Sequence, residues 1–463
     1  MSPNIERVHE FDTGLDDRLM RFVCFENAGR TGLIIVHADT PGQQPSPPNF
    51  RWPKDTLKIS AFTLEGEHLW QHDVGKGIIP GLWYCPVFPF DLDGDGRDEI
   101  YHIGNPQPDR PLDKDSMQVT GLSSDTGEVF GAADLPWFPG NQTMSDTFRY
   151  LINGGYSNGK PRLIGAQGCY HELVIGAWGP NLEPLWDRHI PDSEPGCRAS
   201  HMFPVVDIDG DGRDEVFLGE RCIDIDTGED KWVADRDNYH GHSDIVMPTL
   251  DRETGEWFLY TTREFPWPEG SRGVVMFDSR GEEVWGHRGM GHMHSGWTAR
   301  LRDDGSHLCF AMEVVKHKTG SQVTSVDSEC YLYDMTGQQL KVPFTLEGTQ
   351  PVDIDGDGRH ELLYVDGFAF RGKTTDLPGL VIDRHGEEVG RVEGRAAFCH
   401  KIPDLNCPGE QILTHDDSGK VCIYGCPDAE DTEEARARYA HPYYKSCNRV
   451  RAVGYNWRNH GGL

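Results

Sequence analysis

No stretch of eighteen apolar residues occurs in this sequence, so it offers no candidate membrane-spanning helix. Its start, MSPNIERVHEFDTGLDDRLM, shows no basic residues followed by an apolar run; no secretion signal is read there and the cytoplasm is the expected location. Basic residues are scarce: Lys and Arg total 44 against 75 Asp and Glu, a formal net charge of −31. Nucleic acid and anionic membranes attract basic surfaces, so neither is an expected partner. An anionic substrate is not excluded, because one Arg or one bound cation can dominate a single pocket. The 12 Cys contain no two pairs at zinc-site spacing, Cys422 and Cys426 being the nearest approach. Reduced thiols in the core are expected rather than a disulfide framework. Helical periodicity is nearly absent outside 431–438, where Glu, Ala and Arg dominate.

What the sequence has is repetition. PFDLDGDGRDEIYHIG from Pro89, PVVDIDGDGRDEVFLG from Pro204 and QPVDIDGDGRHELLYV from Gln350 are near copies. Weaker versions begin at Phe25, Leu151, Pro248, Arg300 and Ile402, giving eight anchors about fifty residues apart, a spacing typical of propeller blades. After each anchor comes a short apolar strand, a turn with Gly or Asp, and often an aromatic, as in LKISAFTLEGEHLW ending at Trp70 and CIDIDTGEDKW ending at Trp232. Such turns suit tight hairpins between strands rich in Val, Ile, Leu and Tyr. The expectation is an all-β fold, one propeller spanning 1–463, with eight blades, or seven and an irregular end unit. The Pro-rich stretch 39–55 reads as a loop over one face, and the tail 440–463 as the segment that closes the ring.

The three strong anchors each carry alternating carboxylates. Asp91, Asp93 and Asp95 precede Gly96 and Glu99; Asp207, Asp209 and Asp211 precede Glu215; Asp353, Asp355 and Asp357 precede Glu361. Calcium takes six to eight hard oxygen ligands, and a curled loop presents side chains at positions one, three, five and nine. Three copies in one register predict several structural calcium ions, each bracing a blade.

The histidines sit just ahead of the anchors. His240 and His242 precede Asp251, and His292 and His294 precede Asp303; counted back from the anchor, His242 and His294 both lie nine positions before it. His201 lies six before Asp207 and His400 four before Asp404. Strand starts in successive blades converge on the axis, so an arc of imidazoles is expected at one mouth. Polar lining of a wet channel, a divalent metal site and a general base are the three readings open to such an arc. Arg198, Arg300 and Lys316 lie near the histidines in sequence and offer partners for a carboxylate. Trp83, Tyr84, Tyr239 and Trp297 offer flat faces for a sugar.

The Asp-Gly-Asp loops, of the kind seen in FG-GAP-like propellers, the eight units and the segment GMGHMHSGWTARLRDDGSHLCFAMEV together resemble β-propeller polysaccharide lyases, in particular the rhamnogalacturonan lyases of polysaccharide lyase family 11. The resemblance implies an eight-bladed calcium-rich propeller that cleaves uronate-containing chains by β-elimination. On that reading the partner is a uronate-containing oligosaccharide, of rhamnogalacturonan or rhamnose-glucuronate type. His242 or His294 is the base and Tyr239 or a second histidine the acid. His201, His240, His292, His400, Arg198, Arg300, Tyr84 and Trp297 bind substrate. Two other readings stay open: a non-catalytic calcium-stabilised binding module and a propeller glycoside hydrolase.

Overall fold

The computed structural model describes the chain except residues 1–3, 41–49, 82, 106, 108–111, 114–115, 137–142, 265–271, 289–290, 320–321, 366–376 and 457–460, and omits the side chains of 317–319 and 322–326. The inner part of the Pro-rich insertion, on which a covering role was placed, lies outside the described residues. Eight four-stranded antiparallel sheets form the ring. Seven are consecutive meanders, at 18–73, 87–134, 150–190, 205–233, 243–288, 292–340 and 349–391. We number them blades 1 to 7.

Blade 8 shows how the ring closes, and it differs from the expectation placed on 440–463. Strands Arg395–His400, Gln411–His415 and Lys420–Gly425 are joined by Glu6–Asp12, which pairs antiparallel with Lys420–Gly425 as the outermost strand. Three strands alone would leave an unpaired edge, and ERVHEFD, stranded ahead of the first anchor, supplies the fourth. The tail instead forms two helices, Glu433–Ala440 and Pro442–Arg449, followed by the single turn Val450–Ala452. Thr432 caps the first helix by accepting the Ala435 N–H, and Pro442 opens the second, where its missing N–H costs nothing. The second helix packs on the inner strands of blades 1 to 4. Farther on, Gly461 bridges Thr298 and Gly462 O accepts the Leu250 N–H. The tail therefore fills the axis rather than the seam.

Two recurring contacts join neighbouring blades, and each explains a sequence signal. The aromatic at the end of the outer strand is an interblade staple. Trp70 Nε1 donates to Ser124 O at 2.7 Å, Trp186 to Ile225 O at 2.9 Å, Trp232 to Ser279 O at 3.0 Å and Trp285 to Met335 O at 2.9 Å. The turn glycine of the following blade lies under each ring. A Cβ on Gly127 would sit 2.5 Å from Trp70, and its φ of +70° is itself a glycine conformation. The second contact involves the residue just before the anchor's last carboxylate, or its counterpart. Asp98 Oδ2 accepts the Glu26 N–H at 2.7 Å, Asp214 Oδ2 the Tyr156 N–H at 2.6 Å, and Glu410 Oε2 the Asp353 N–H at 2.7 Å. His360 Nδ1 does the same for Arg300 N–H at 3.0 Å.

The acidic loops join the first strand of a blade to its second, whereas the histidines precede or begin the first strand. They therefore lie at opposite ends of the inner strands.

Candidate functional site

Four of the expected histidines meet at one mouth. His201 Nε2 and His242 Nε2 are 3.2 Å apart. His292 Nε2 and His294 Nδ1 are 3.3 Å apart. Between the pairs stand two carboxylates that sequence reasoning missed, Asp244 and Glu264. Asp244 Oδ1 is 3.3 Å from His201 Nε2 and Oδ2 is 3.0 Å from His294 Nδ1. Glu264 Oε2 is 3.3 Å from His242 Nε2 and Oε1 is 3.5 Å from His292 Nε2. Ligand atoms of His201, His242, Asp244 and Glu264 all lie within 4.8 Å of one another.

The register of the two His-x-His-Ser segments differs from the one counted back from the anchors. A bulge in the inner pair falls on Asp244 in blade 5 and on His294 in blade 6. Asp244 thus corresponds to His294, and His242 to His292. The count was off by two because the two hairpins run in one register fifty residues apart, Thr249 pairing with Phe258 and Ala299 with Leu308, so Asp251 corresponds to Leu301 and not to the anchor Asp303. An error of two keeps the facing of a strand residue, so the predicted arc survived it. The same alternation was the available signal for Asp244, two residues after His242. Glu264, just beyond the strand Trp257–Arg263, had none.

Electrostatics fix the state of these groups. His242 Nδ1 donates to Ala199 O at 2.6 Å, so its Nε2 presents a lone pair toward Glu264 and His201. Burial lowers the His242 and His292 pKa values to about 3, and burial with the neighbouring His242 holds His201 well below the usual imidazole range. Burial pushes the Asp244 and Glu264 carboxyls up, and for Glu264 the Asp244 charge adds to it. Asp244 Oδ1 and Glu264 Oε2 are buried and receive no hydrogen bond. Lone pairs and carboxylate oxygens thus converge, and among the described residues no Lys or Arg ion pair stands between them.

Arg149, Trp83, Tyr170, Cys169 and Tyr455 surround the cluster. The Arg149 guanidinium lies 4.5 Å over the Trp83 ring and 5.5 Å over Tyr170. Tyr455, carried up the axis by the tail, donates its N–H to His201 O at 3.1 Å, and its ring centres 4.4 Å from His201 and 5.3 Å from Trp83. Burial raises the Tyr455 phenol pKa. Lys316 acts on Glu264 and His292 through its charge. Nothing in the sequence near Tyr455 marked it, because the helices that bring it here are local to the tail.

Several expected residues are placed elsewhere. Tyr239 is buried with Arg263 3.7 Å over its ring and Ser243 Oγ 3.5 Å from its hydroxyl, so its described contacts are with these rather than with the histidines. Arg198 is fully buried and donates to the carbonyls of His171, Pro191, Glu194 and Gly196. Arg300 lies at the opposite face, donating to Gly305 O and Gly358 O and pairing with Glu434. Trp297 is buried, its indole N–H on Thr349 Oγ1. His400 stacks on Phe398 and donates to Lys401 O. His240 is half-exposed beside Asp192, and Tyr84 is buried against Phe148. These side chains already have structural work where a substrate role was expected, and Trp83 is a buried wall rather than an open platform.

The acidic loops do converge, though not identically. Asp91, Asp93, Asp95 and Glu99 form one group, Asp207, Asp209 and Glu215 a second, Asp353, Asp355 and Asp357 a third. Asp211 pairs with the Arg213 guanidinium at 2.8 Å and lies outside its group, as does Glu361. The three glutamates nonetheless accept equivalent N–H groups, Glu99 from Leu92, Glu215 from Ile208 and Glu361 from Ile354. Asp91 and Asp207 accept their own loops' N–H groups at Gly94 and Gly96, and Gly210 and Gly212. Asp353 is bound from outside, by Arg438 at 3.2 Å and the Tyr439 hydroxyl at 2.9 Å.

A family model described as rhamnogalacturonan lyase family 11, C-terminal domain, matches residues 138–462, which hold every member of the histidine–carboxylate cluster. The chain belongs to rhamnogalacturonan lyase family 11. Two Bacillus subtilis (strain 168) proteins are similar to it: rhamnogalacturonan exolyase YesX, 29% identical over 201 residues, and rhamnogalacturonan endolyase YesW, 28% identical over 201 residues. In both cases the match takes in 36% of this chain and 32% of the relative, so the chain spans about a third of the length of these relatives. The solved structure of Bacillus licheniformis rhamnogalacturonan lyase PL11 superposes with a TM-score of 0.74 at 19% identity, covering 100% of this chain and 81% of that one. That of exotype rhamnogalacturonan lyase YesX gives 0.71 at 18% identity, with the same coverage. These structural likenesses establish the eight-bladed fold of this family 11 chain.

Proposed function

We propose that this chain is a lyase that cleaves a rhamnogalacturonan-type, uronate-containing chain by β-elimination at the His201–His242–Asp244–Glu264 mouth. The observation that carries the reading is the set of unpartnered buried oxygens of Asp244 and Glu264 facing imidazole lone pairs, in a chain of family 11. This donor set fits a divalent cation: two carboxylates and two neutral imidazoles, already gathered. When bound, a cation there supplies positive charge for the uronate carboxylate, which acidifies the proton at C5.

The chain's own residues divide the remaining work. The Ala199 carbonyl fixes the His242 tautomer, which makes His242 a ligand rather than the base. His294 is the more exposed imidazole, and Asp244 Oδ2 at 3.0 Å from its Nδ1 orients it as an Asp orients a general base. We assign C5 proton removal to His294. Tyr455 stays protonated and stands beside His201 as the donor to the departing glycosidic oxygen. The Arg149 guanidinium, held over Trp83, adds positive charge at the same mouth.

Calcium is the ion we assign to the Asp-Gly-Asp loops, in a structural role. Their carboxylate groups support it, and so does Asp353 Oδ1, which is buried without a hydrogen-bond donor. The test of the site is His294→Ala on rhamnogalacturonan oligosaccharides. Activity falls by at least a hundredfold, the range general-base removal costs, while melting temperature and bound calcium stay at wild-type values. Full activity in that variant would refute the assignment.

A further inference from the structure

We infer that the loop 207–215 is neutralised by a built-in ammonium, Lys231, and that of the three Asp-Gly-Asp loops it alone retains no calcium. The inference rests on the reading of the other two loops as calcium sites.

Lys231 Nζ lies 2.6 Å from Asp209 Oδ2, 2.7 Å from Glu215 Oε1 and 3.6 Å from Asp211 Oδ2. Asp209 and Glu215 belong to the converging group of this loop, so the ammonium binds the same side chains that would ligate an ion. Calcium needs its oxygens at about 2.3–2.6 Å. An ion taking both of these carboxylates would lie against the ammonium, cation on cation, so the two compete. A second observation points the same way. Asp211, which should supply the position-five ligand, pairs with Arg213 and lies outside the converging group, whereas its counterpart Asp95 stays within its own.

The difference traces to one position of the repeat. In the outer hairpin of each of the three blades with these loops a bulge leaves one residue unpaired: Phe130 in blade 2, Lys231 in blade 4 and Val389 in blade 7. Only blade 4 places a cation there. In blade 2 the corresponding ring stands against Tyr101, and the loop's own Arg97 is drawn off to Asn27 and Asp125. In the loop of blade 7, Arg438 pairs with Asp353 from outside, and Arg384 comes no nearer than 3.8 Å to Asp357. The buried Asp353 Oδ1 still has no hydrogen-bond donor. Three nearly identical motifs thus meet three different electrostatic surroundings, and one of them already contains its counter-charge.

The experiment counts calcium per chain by atomic emission, on full-length protein stripped with chelator, reloaded with calcium and desalted. Asp93→Asn loses one ion and Asp209→Asn loses none. Lys231→Met gains one, Lys231→Arg keeps the wild-type count, and the double variant Lys231→Met/Asp209→Asn returns to it. A loss of one ion in Asp209→Asn overturns the inference, and that variant decides the question even if Lys231→Met fails to fold. So does an unchanged count in folded Lys231→Met. If Asp93→Asn and Asp355→Asn both leave the count unchanged, the calcium reading of the loops fails and takes this inference with it, which separates the two failures.

Discussion

Arg438→Met destabilises the ring by about 3–5 kcal/mol, the range found when one partner of a buried ion pair is removed. Arg438 is 2% exposed, pairs with Asp353 and Glu410, and lies between the rings of Tyr439 and Tyr444. Asp353 and Glu410 are both fully buried, so neither can turn to water once the guanidinium is gone. With an unfolding entropy of roughly 2.1 cal/mol/K per residue, a chain of 463 residues has about 1 kcal/mol/K. The melting temperature therefore drops by about 3–5 °C, read by calorimetry at pH 8. The pH dependence gives a second check. In the protein stripped of calcium, whose charge would otherwise hold Asp353 ionised, burial pushes the Asp353 carboxyl up to about 7, above its ordinary value of 3.8. A raised carboxyl contributes stability that is full below 3.8 and is lost as pH rises through about 7. Protonation also relieves the repulsion from Glu410, so the drop in Arg438→Met is smaller at pH 5 than at pH 8. A shift below 1 °C at pH 8, or a larger drop at pH 5, would refute this reasoning.

Other consequences are simpler to read. Trp70→Phe loses the indole bond to Ser124 O and costs about 1 kcal/mol, while Trp70→Ala loses the staple and its packing and costs about 3–5 kcal/mol; a Trp70→Phe variant as stable as wild type by denaturant titration would discount the hydrogen bond. Asp214 has its pKa raised to about 6 by burial, so its contribution is full below 3.8 and lost as pH rises through 6. Asp214→Asn keeps an oxygen for the Tyr156 N–H and removes that slope, and it melts higher than wild type at pH 8; a lower melting point there would contradict the assignment. Chelation lowers the melting temperature by several degrees, and calcium restores it; no shift would count against structural calcium.

The fold was legible because each blade repeats its own punctuation: an anchor, a Gly or Asp turn, an aromatic. Trp70, Trp186, Trp232 and Trp285 announce the interblade staple wherever they fall. Ring closure was not legible, because ERVHEFD has no anchor of its own and its partner Lys420–Gly425 is more than 400 residues away. The histidines were found because strand starts converge. Their partners were harder: Asp244 was readable by alternation, whereas Glu264, Arg149 and Tyr455 reach the mouth from a strand end, a connection and the tail. Arg198, Arg300 and Trp297 misled because nearness in sequence to a strand start does not say which end of the strand a side chain serves. Lys231 carried no sequence signal, because only its bulge places it on Asp209 and Glu215.

The central claim is that the histidine–carboxylate mouth performs an elimination. Its most direct test incubates the full chain with rhamnogalacturonan oligosaccharides and follows ultraviolet absorbance, since elimination leaves a double bond in the product. The account predicts a rise in absorbance that stops on chelation, returns with calcium and is absent in His294→Ala. Sugar release without new absorbance, or binding without any product, would contradict it.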